Sequence, residues 1–303
     1  MATSFFRYPG GKSKLRSQIA SKLNDIASNA DLEYREPFFG GGSIGLKLLQ
    51  DKSNLKRMWI NDFDPGVSCL WTTLINRPDL LKDRVIKFIP STESFYKFKY
   101  ELTDTPPEFT SDTIIANYGF KKLAIHQISY SGLGTKSGGP LGGIKQESDY
   151  KIDCRWSPEY ICKKIDLLYN QFSKLNIREK KCTNLDFINL ILDKEHDAII
   201  YLDPPYFDKG SDLYQCSFTE QDHRRLAEAL KETNHRWVLS YDDCEEIRKL
   251  YMWADIEEIK EVSYSITALK DKNTGERSSR TKGELLIMSK YVNEATRKEI
   301  CLV

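Results

Sequence analysis

The feature that most limits how this chain can fold is an apolar run that ends in two prolines. Residues 198–202 read Ala-Ile-Ile-Tyr-Leu, a pattern typical of a strand buried on both faces of a parallel sheet. Asp203 follows, and Pro204 must end the strand because proline has no amide hydrogen for the ladder. Pro205 stiffens the turn and Tyr206 adds an aromatic ring. A carboxylate, rigid carbonyls and a ring are thus predicted at the carboxyl end of a strand, where open α/β sheets bind ligands.

These four residues are equally compatible with an ordinary proline turn, so the preceding chain has to decide. Residues 34–39 predict a strand that runs into a glycine-rich turn at 40–45 and then a helix. Such a unit binds nucleotides in doubly wound folds, because glycines let the backbone approach the ligand. The next strand, 56–60, precedes Asp62 and Asp64, about 20 residues after the glycines, where an acid accepts hydrogen bonds from ribose hydroxyls. The alternative is that one of these acids merely caps the following helix.

The alternation of strands and helices stops near residue 78 and resumes near residue 157. Between them lie an aromatic, basic helical stretch at 95–100 and a second predicted helix at 114–128. A glycine-rich loop then covers 131–143, and loops of this length are usually functional or disordered. We interpret 78–156 as an inserted module; the alternative is a helical elaboration with an irregular loop.

The resumed alternation completes an α/β domain around the insert. Further strands are predicted at 177–183, 236–240, 256–262 and 284–290, with helices between the earlier of them. Thr219 and Asp222 have the spacing of a capping box that opens one of these helices. The predicted division is a discontinuous domain, an insert and a tail, at 1–77 with 157–292, at 78–156 and at 293–303.

The composition narrows the classes of protein to which the chain can belong. Its 303 residues carry a net charge of +1, so a polyanionic partner must be met by local basic patches. No apolar run approaches the ~20 residues of a membrane span, and the N-terminus lacks the order of a signal peptide. The seven cysteines are scattered, which favours reduced thiols in a cytoplasmic protein. The four histidines are isolated, so no metal site is predicted.

Five motifs occur in a fixed order along the chain. They are Tyr8-Pro9-Gly10-Gly11-Lys12, Glu36-Pro37-Phe38-Phe39-Gly40-Gly41-Gly42-Ser43, Asn61-Asp62, Asp186-Phe187 and Asp203-Pro204-Pro205-Tyr206. Together they closely resemble the Dam-like (D12-class) adenine-specific DNA methyltransferases, which use S-adenosylmethionine. The resemblance spans nearly the whole chain. It implies a Rossmann-like class I methyltransferase fold, a mostly parallel sheet with a C-terminal antiparallel hairpin, in which the insert recognises the DNA target.

The resemblance also implies a role for each motif. Tyr8, where the family more often has Trp, and Lys12 would touch the methionine half of the cofactor. The glycine loop would pass beneath the cofactor, Asp62 would hold its ribose, and the Asp186-Phe187 pair would frame its adenine. The residues assigned to the cofactor are Tyr8, Lys12, Phe38, Phe39, Gly40, Gly41, Gly42, Asp62, Asp186, Phe187 and Asp203; the catalytic face is assigned to Asp203, Pro204, Pro205 and Tyr206.

The expected partner is double-stranded DNA, bound by a monomer or weak dimer. A polar, basic segment at 265–283 is a solvated loop if its charges act singly, and a phosphate-binding surface if they act as a cluster. The glycine-rich loop of the insert differs from that of GATC-recognising members, so the resemblance does not carry that target over. Candidate DNA contacts are Tyr130, Lys136, Lys145, Arg155, Lys270, Lys272, Arg277 and Arg280.

The residues of the proline turn suggest how an aromatic amine is methylated. The lone pair of such an amine is delocalised into its ring, and acceptors aimed at its hydrogens free that lone pair for the methyl group. The carboxylate of Asp203 and the carbonyl of Pro204 are the acceptors at hand. A base in a duplex reaches them only when flipped out, and Tyr206 is the candidate to stack on it. Rival predictions are methylation of cytosine N4, RNA adenine or a protein amide, and a catalytically silent DNA-binding module.

Overall fold

The computed structural model describes residues 4–12, 15–27, 31–51, 55–207, 218–263, 269–270, 277–278 and 281–289. Of 260–263, 269–270, 277–278 and 281–282 it describes the backbone. Lys272 and Arg280, two predicted DNA contacts, lie outside the described residues. Within the described ranges, no helix is both long enough and apolar enough to cross a membrane.

Helices and strands alternate at both ends of the chain, with a helical stretch between. The helices are α1 (Arg16–Ala27), α2 (Ser43–Gln50), α3 (Pro65–Asn76), α4 (Pro78–Lys87), α5 (Thr92–Thr103), α6 (Asp112–Ile128), α7 (Pro158–Phe172), α8 (Phe187–Leu192), α9 (Glu220–Glu232) and α10 (Glu245–Leu250). The strands are β1 (Glu33–Glu36), β2 (Arg57–Ile60), β3 (Asn176–Ile177), β4 (Ala198–Leu202), β5 (Arg236–Asp242), β6 (Asp255–Ser263), β7 (Leu269–Lys270), β8 (Arg277–Ser278) and β9 (Thr281–Met288).

Seven strands form one mixed sheet in the order β3-β2-β1-β4-β5-β9-β6. The first five in this order pair in parallel, while β9 pairs antiparallel with both β5 and β6. The predicted mostly parallel sheet with a C-terminal antiparallel hairpin is therefore confirmed. After β1 the chain builds outward to β2 and β3, then returns to the other side of β1 as β4. The carboxyl ends of β1 and β4 thus flank the switch point at which doubly wound sheets bind ligands.

The strand predicted at 177–183 is wrong in its middle. β3 covers two residues and is followed by a 3-10 turn at Arg178–Lys180. The guanidinium of Arg178 pairs with Asp193 at 2.9 Å, and such pairing favours the turn over a continued ladder. Thr183 rejoins the sheet through an isolated bridge beyond the end of β2. The sequence around this turn does not show that Arg178 has a partner 15 positions further along.

The helices of the 78–156 segment pack directly on the helices beside the sheet. α6 lies so close to α3 that a Cβ on Gly119 would come within 2.5 Å of the backbone nitrogen of Leu70. Leu81, Phe95 and Leu123 belong to the same buried apolar cluster as residues of the sheet. This segment therefore shares its core with the α/β layer, and the proposed domain boundaries at 77 and 157 stay a prediction.

Helix capping follows the sequence where short polar residues precede a helix. Thr219 and Asp222 form the predicted capping box at the start of α9, each side chain bonding the other's backbone amide. Asp64 caps α3, accepting hydrogen bonds from the amides of Gly66 and Val67. The alternative that one of the two acids after β2 caps the following helix is thus correct for Asp64, while Asp62 has other contacts.

Candidate active site

A cavity of about 300 Å³ opens at the carboxyl ends of β1, β2 and β4. This volume is in the range of small-molecule sites, and its position is the switch point of the sheet. The loop before α1, the glycine turn after β1, the acidic turn after β2 and the proline turn after β4 all contribute to its walls. The predicted site residues that line it are Tyr8, Phe38, Phe39, Gly40, Gly41, Asp62, Asp186, Phe187, Asp203 and Pro205.

The glycine turn is shaped by the ring of Tyr8. Gly40 has φ 48°, and a Cβ there would lie 2.7 Å from a carbon of the Tyr8 ring. Both the backbone angle and the close approach exclude a side chain at this position. The indole nitrogen of Trp71 donates to the carbonyl of Gly40 at 2.9 Å and holds the turn from behind. The sequence therefore places Tyr8 against the backbone of the turn, with both facing the cavity.

Asn61 ties together the ends of three chain segments at the cavity floor. Its amide nitrogen donates to the carbonyls of Pro37 and Leu185, at 3.0 and 3.1 Å. Its carbonyl oxygen accepts from the hydroxyl of Thr183 at 2.8 Å. The side chain is 1% exposed, so it acts as a buried cross-link and not as a ligand group.

Asp62 faces the cavity from the next position. One carboxylate oxygen accepts the Gly40 amide at 2.7 Å and the other accepts the Asp64 amide at 2.9 Å. Burial, and next the charge of Asp64, raise the pKa of Asp62 to about 7. A carboxylate has about four acceptor positions, so two backbone bonds leave capacity for hydroxyl donors.

Three phenylalanines form one end of the cavity. The ring centroids of Phe38, Phe187 and Phe218 are 5.5 to 5.8 Å from one another. Asp186 caps α8 and also accepts from Arg225 at 2.8 Å. The rings pack tilted or edge-on against one another and form an apolar wall with a polar rim, against which a planar heterocycle can lie.

Several lining residues were not predicted from the sequence. Phe63, Phe218 and Arg225 line the cavity, and Phe63 is 59% exposed. Phe63 lies between Asp62 and Asp64, two candidate ribose-binding residues, so its position could have predicted that it lines the cavity. Phe218 and Arg225 lie at the start of α9, and their spacing in the sequence carries no sign of a site.

The opposite end of the cavity is built around the carboxylate of Asp203. The ammonium of Lys12 lies 2.5 Å from one carboxylate oxygen, and the hydroxyl of Ser240 donates to the same oxygen at 3.2 Å. Tyr201 and Ser240 share a hydrogen bond of 2.9 Å beneath them. Lys12 is 2% exposed and lies behind the cavity wall, while its neighbours Gly10 and Gly11 line the cavity.

Tyr206 is fixed from the far side by Glu284 of β9. The phenol donates to Glu284 at 2.6 Å, and Glu284 is fully buried. The same oxygen of Glu284 lies 3.4 Å from the ammonium of Lys12, which also sits 4.7 Å from the centre of the Tyr206 ring. No role was predicted for Glu284 from the sequence.

The charges of this cluster are strongly coupled. Burial alone would lower the pKa of Lys12, but the carboxylates of Asp203 and Glu284 outweigh it and raise that pKa well above its ordinary value. Burial raises the pKa of Asp203, and the adjacent Lys12 ammonium opposes this. Burial also raises the pKa of Glu36 well above its ordinary value, at the cavity end of β1. Burial thus favours the neutral form of Glu36, while Lys12 compensates the charge of Asp203.

The sequence matches the family of D12 class N6 adenine-specific DNA methyltransferases over residues 8–133 and 155–265. The chain belongs to this family. The unmatched stretch between the two ranges, 134–154, contains most of the glycine-rich loop of the insert. This is the loop that differs from that of GATC-recognising members of the family.

Two curated relatives have the same general activity in their names. The type II methyltransferase M.MjaIII of Methanocaldococcus jannaschii is 23% identical over 248 residues, covering 77% of this chain and 80% of that protein. The type II methyltransferase M.CviBI of Paramecium bursaria Chlorella virus NC1A is 23% identical over 251 residues, covering 81% and 85%. The identity is low, but the similarity extends over most of each chain.

The glycine-rich loop of this methyltransferase is folded on itself. Two backbone hydrogen bonds cross it. The amide of Tyr130 donates to the carbonyl of Gly139 at 3.1 Å, and the amide of Leu141 donates to the carbonyl of Ile128 at 2.8 Å. Tyr130 is 64% exposed, and Lys136, Lys145 and Arg155 are exposed as well. Lys270 and Arg277 pair through their backbones in the β7–β8 ladder. The structure thus exposes the four predicted contacts of the insert, and their roles remain predictions.

A second concavity, a groove of about 580 Å³, adjoins the methyltransferase cavity. Both are lined by Tyr8, Gly11 and Ser43. The cationic side chains along the groove belong to Arg7, Arg155 and Lys164. Among the described residues that line it, none carries a carboxylate. We call this feature the basic groove.

Two of the three cations of the basic groove, Arg7 and Lys164, donate to backbone carbonyls. Lys164 donates to the carbonyls of Ser4 and Phe5 at 2.8 and 2.6 Å, and burial lowers its pKa to about 8. Burial, and next the charge of Arg155, lower the pKa of Arg7. Positive charge concentrated without carboxylate neighbours attracts anions.

Proposed function

We propose that this methyltransferase transfers the methyl group of S-adenosylmethionine to the N6 amine of an adenine turned out of double-stranded DNA. The observation that carries the proposal is the position of Asp203 and Pro204. Both follow β4 directly at the switch point of the sheet, and Asp203 lines the cavity there, while Pro204 does not line it. The family supports the reaction, and the position of Asp203 supports its part in it.

The cavity fits the parts of S-adenosylmethionine in order. The apolar wall formed by Phe38, Phe187 and Phe218 suits the adenine, and Asp62 suits the ribose hydroxyls. The end near Tyr8 and Asp203 suits the methionine half. When bound, the sulfonium supplies an activated methyl group. Lys12 contributes through Asp203; its direct contact with the cofactor stays a prediction.

Asp203 and Pro204 act on the amine by accepting its two hydrogen atoms. Hydrogen bonds from a planar amine to two acceptors favour a pyramidal nitrogen, whose lone pair then points toward the methyl group. Lys12 and Ser240 hold the carboxylate in place, so little reorganisation is needed during the reaction. The rigid proline turn does the same for the carbonyl of Pro204.

We propose that Tyr206, which follows the proline turn but does not itself line the cavity, stacks on the extruded base. Base–aromatic stacking contributes roughly 1–3 kcal/mol, which is comparable to the few kcal/mol that unstacking a base costs. The ring is pinned at its hydroxyl by Glu284. A fixed ring loses little conformational entropy when a base stacks on it.

The basic groove supports the choice of a nucleic acid as the substrate. Arg7, Arg155 and Lys164 line the groove, which adjoins the cavity, so phosphates of the strand that carries the target base can be neutralised along it. We propose this groove as the path of that strand.

Transfer of a tritiated methyl group tests the function. Purified protein is incubated with labelled S-adenosylmethionine and with duplex DNA, RNA or bulk protein, and the products are digested to nucleosides or amino acids. We expect label in N6-methyladenine from duplex DNA. Label in N4-methylcytosine, in RNA or in protein would overturn the proposed substrate.

The catalytic assignment has its own test. Asp203→Asn keeps the size of the side chain but removes its negative charge and replaces one acceptor oxygen by a donor nitrogen. We expect cofactor binding, measured by calorimetry, to remain within severalfold while methyl transfer falls roughly a thousandfold. Cofactor binding without transfer by the unaltered protein on any DNA would favour a catalytically silent DNA-binding module. Sequencing that detects N6-methyladenine in DNA from expressing cells identifies the target.

A further inference from the structure

Glu284 connects three parts of the candidate active site that come from distant parts of the chain. It lies on β9, fully buried, between β5 and β6. One of its oxygens accepts the hydroxyl of Tyr206 at 2.6 Å and lies 3.4 Å from the ammonium of Lys12. Lys12 in turn lies 2.5 Å from Asp203. Glu284 therefore contacts the N-terminal loop and the proline turn at once.

Burying the carboxylate of Glu284 at this place reduces the free energy of unfolding, because the charge loses its hydration. Two carboxylates, Asp203 and Glu284, share one ammonium, and desolvating an extra charge opposes folding. Apolar groups of similar size often stabilise a core as well as a buried ion pair does. The presence of a charged residue at this position is therefore not explained by stability, and its contacts point to a part in the chemistry of the site.

We propose that Glu284 is a positioning residue for methyl transfer, which holds the Tyr206 ring for stacking on the target base and holds Lys12 against Asp203. This inference rests on the proposed function, because it gives Glu284 a part in that reaction. The hydroxyl lies at the far end of the Tyr206 ring, so one hydrogen bond there restricts the swing of the ring about the Cα–Cβ bond. Glu284 touches neither substrate nor cofactor in this scheme.

The negative charge of Glu284 has a second effect, on Asp203. It raises the pKa of Asp203, after the larger effects of burial and of Lys12, which act in opposite directions. A more basic carboxylate is a better acceptor for the amine hydrogens. The titratable groups that face Asp203 from the surrounding elements are Lys12, Glu36, Tyr201, Tyr241 and Glu284.

The test compares Glu284→Gln with Glu33→Gln. Gln keeps an acceptor for the Tyr206 hydroxyl but removes the charge. Glu33 serves as the control because it is also a buried carboxylate. It lies at the start of β1, the end away from the cavity, where it pairs with Arg35 at 2.7 Å. We expect single-turnover methyl transfer by Glu284→Gln to fall about tenfold or more with cofactor affinity within about threefold, while Glu33→Gln lowers the melting temperature at an unchanged rate.

A pH profile separates a positioning role from a structural one. Asp203 must be ionised to accept, so the acid limb of kcat/KM follows its pKa. Without the charge of Glu284 that pKa falls, and the limb moves to lower pH. A purely structural loss lowers the whole profile without moving it, and that outcome overturns the inference, as does a wild-type rate in Glu284→Gln.

A third comparison uses Tyr206→Phe, which keeps the ring and removes the hydroxyl. It is combined with Glu284→Leu, which removes the acceptor, because Glu284→Gln would keep this hydrogen bond. If Glu284 acts through this hydroxyl, the double variant of Tyr206→Phe and Glu284→Leu loses less than the product of the two single losses. Losses that multiply fully show independent action and overturn the pinning of the ring. An unaltered protein that methylates no DNA removes the proposed function itself, and that result is distinct from an active protein that tolerates Glu284→Gln.

Discussion

The ammonium of Lys12 lies 2.5 Å from the carboxylate of Asp203, although 191 positions separate them in the chain. The pair closes the end of the cavity between the loop before α1 and the proline turn after β4. It links the part of the molecule that we assign to the cofactor with the part that we assign to the target amine. Its integrity is therefore the first property to test.

Lys12→Met should remove the cation from this pair while keeping an aliphatic stem. Asp203 is then a buried carboxylate without its main partner, so its pKa rises further and the acid limb of kcat/KM moves to higher pH. We expect methyl transfer at neutral pH to fall roughly a hundredfold or more. Lys12→Arg serves as the charged control, and an unshifted acid limb in Lys12→Met would falsify the pairing. The opposite shift expected for Glu284→Gln makes the two variants a matched set.

Gly40→Ala should distort the turn beneath the cofactor. The residue has φ 48°, and the new Cβ would meet the Tyr8 ring at 2.7 Å. We expect a loss of about 1–2 kcal/mol in unfolding free energy and at least a severalfold weaker affinity for S-adenosylmethionine. Gly138→Ala is the control, because a Cβ at that position meets nothing within 4 Å. Chemical denaturation and calorimetry measure both effects; equal behaviour of the two variants contradicts this account.

Asp62 should make both stability and cofactor affinity depend on pH. Its folded pKa of about 7 lies above the ordinary value of 3.8, so its contribution to stability is complete below pH 3.8 and is lost as the pH rises through 7. Ionisation at the same time creates the acceptor for ribose hydroxyls, so cofactor affinity should increase across that range. Asp62→Asn should flatten both dependences. A pH titration of melting temperature and dissociation constant shows whether it does.

The basic groove should set the salt dependence of DNA binding. Arg155→Ala and Lys164→Met each remove one cation that we place near a phosphate, so each should reduce the slope of log K against log salt by about 1. Lys163→Ala is the matched control, since Lys163 is an exposed neighbour on α7 that pairs with Glu159. Fluorescence anisotropy of a labelled duplex at several salt concentrations measures the slopes. A control that changes the slope as much as Lys164→Met would remove the groove from the DNA path.

Most of the cavity could be predicted because its residues follow strands directly. A strand end, a glycine turn and an acid near the next strand are local patterns, and parallel pairing brings them to one edge of the sheet. The turn after β4 and the capping box at Thr219 are local in the same way. The mostly parallel sheet with its C-terminal hairpin followed from the family resemblance and is confirmed by the strand pairing.

The rest of the site depends on contacts that no local pattern records. Phe218 and Arg225 reach the cavity because α9 packs beside α8, and Glu284 reaches it because β9 inserts between β5 and β6. The turn at Arg178–Lys180 replaces a predicted strand because Arg178 pairs with Asp193, 15 positions further along. Side chains of this kind are placed by tertiary packing, which periodicity does not describe.

The insertion of β9 has a consequence for the order in which the site is completed. During synthesis the loop that carries Lys12 emerges first, and β9 emerges last among the described strands of the large sheet. Until β9 pairs, β5 has an open edge and Lys12 lacks one of its two carboxylates. A nascent chain can thus assemble the cofactor cavity early, yet its catalytic end is finished by the last strand, so methylation activity reports that the whole sheet has closed.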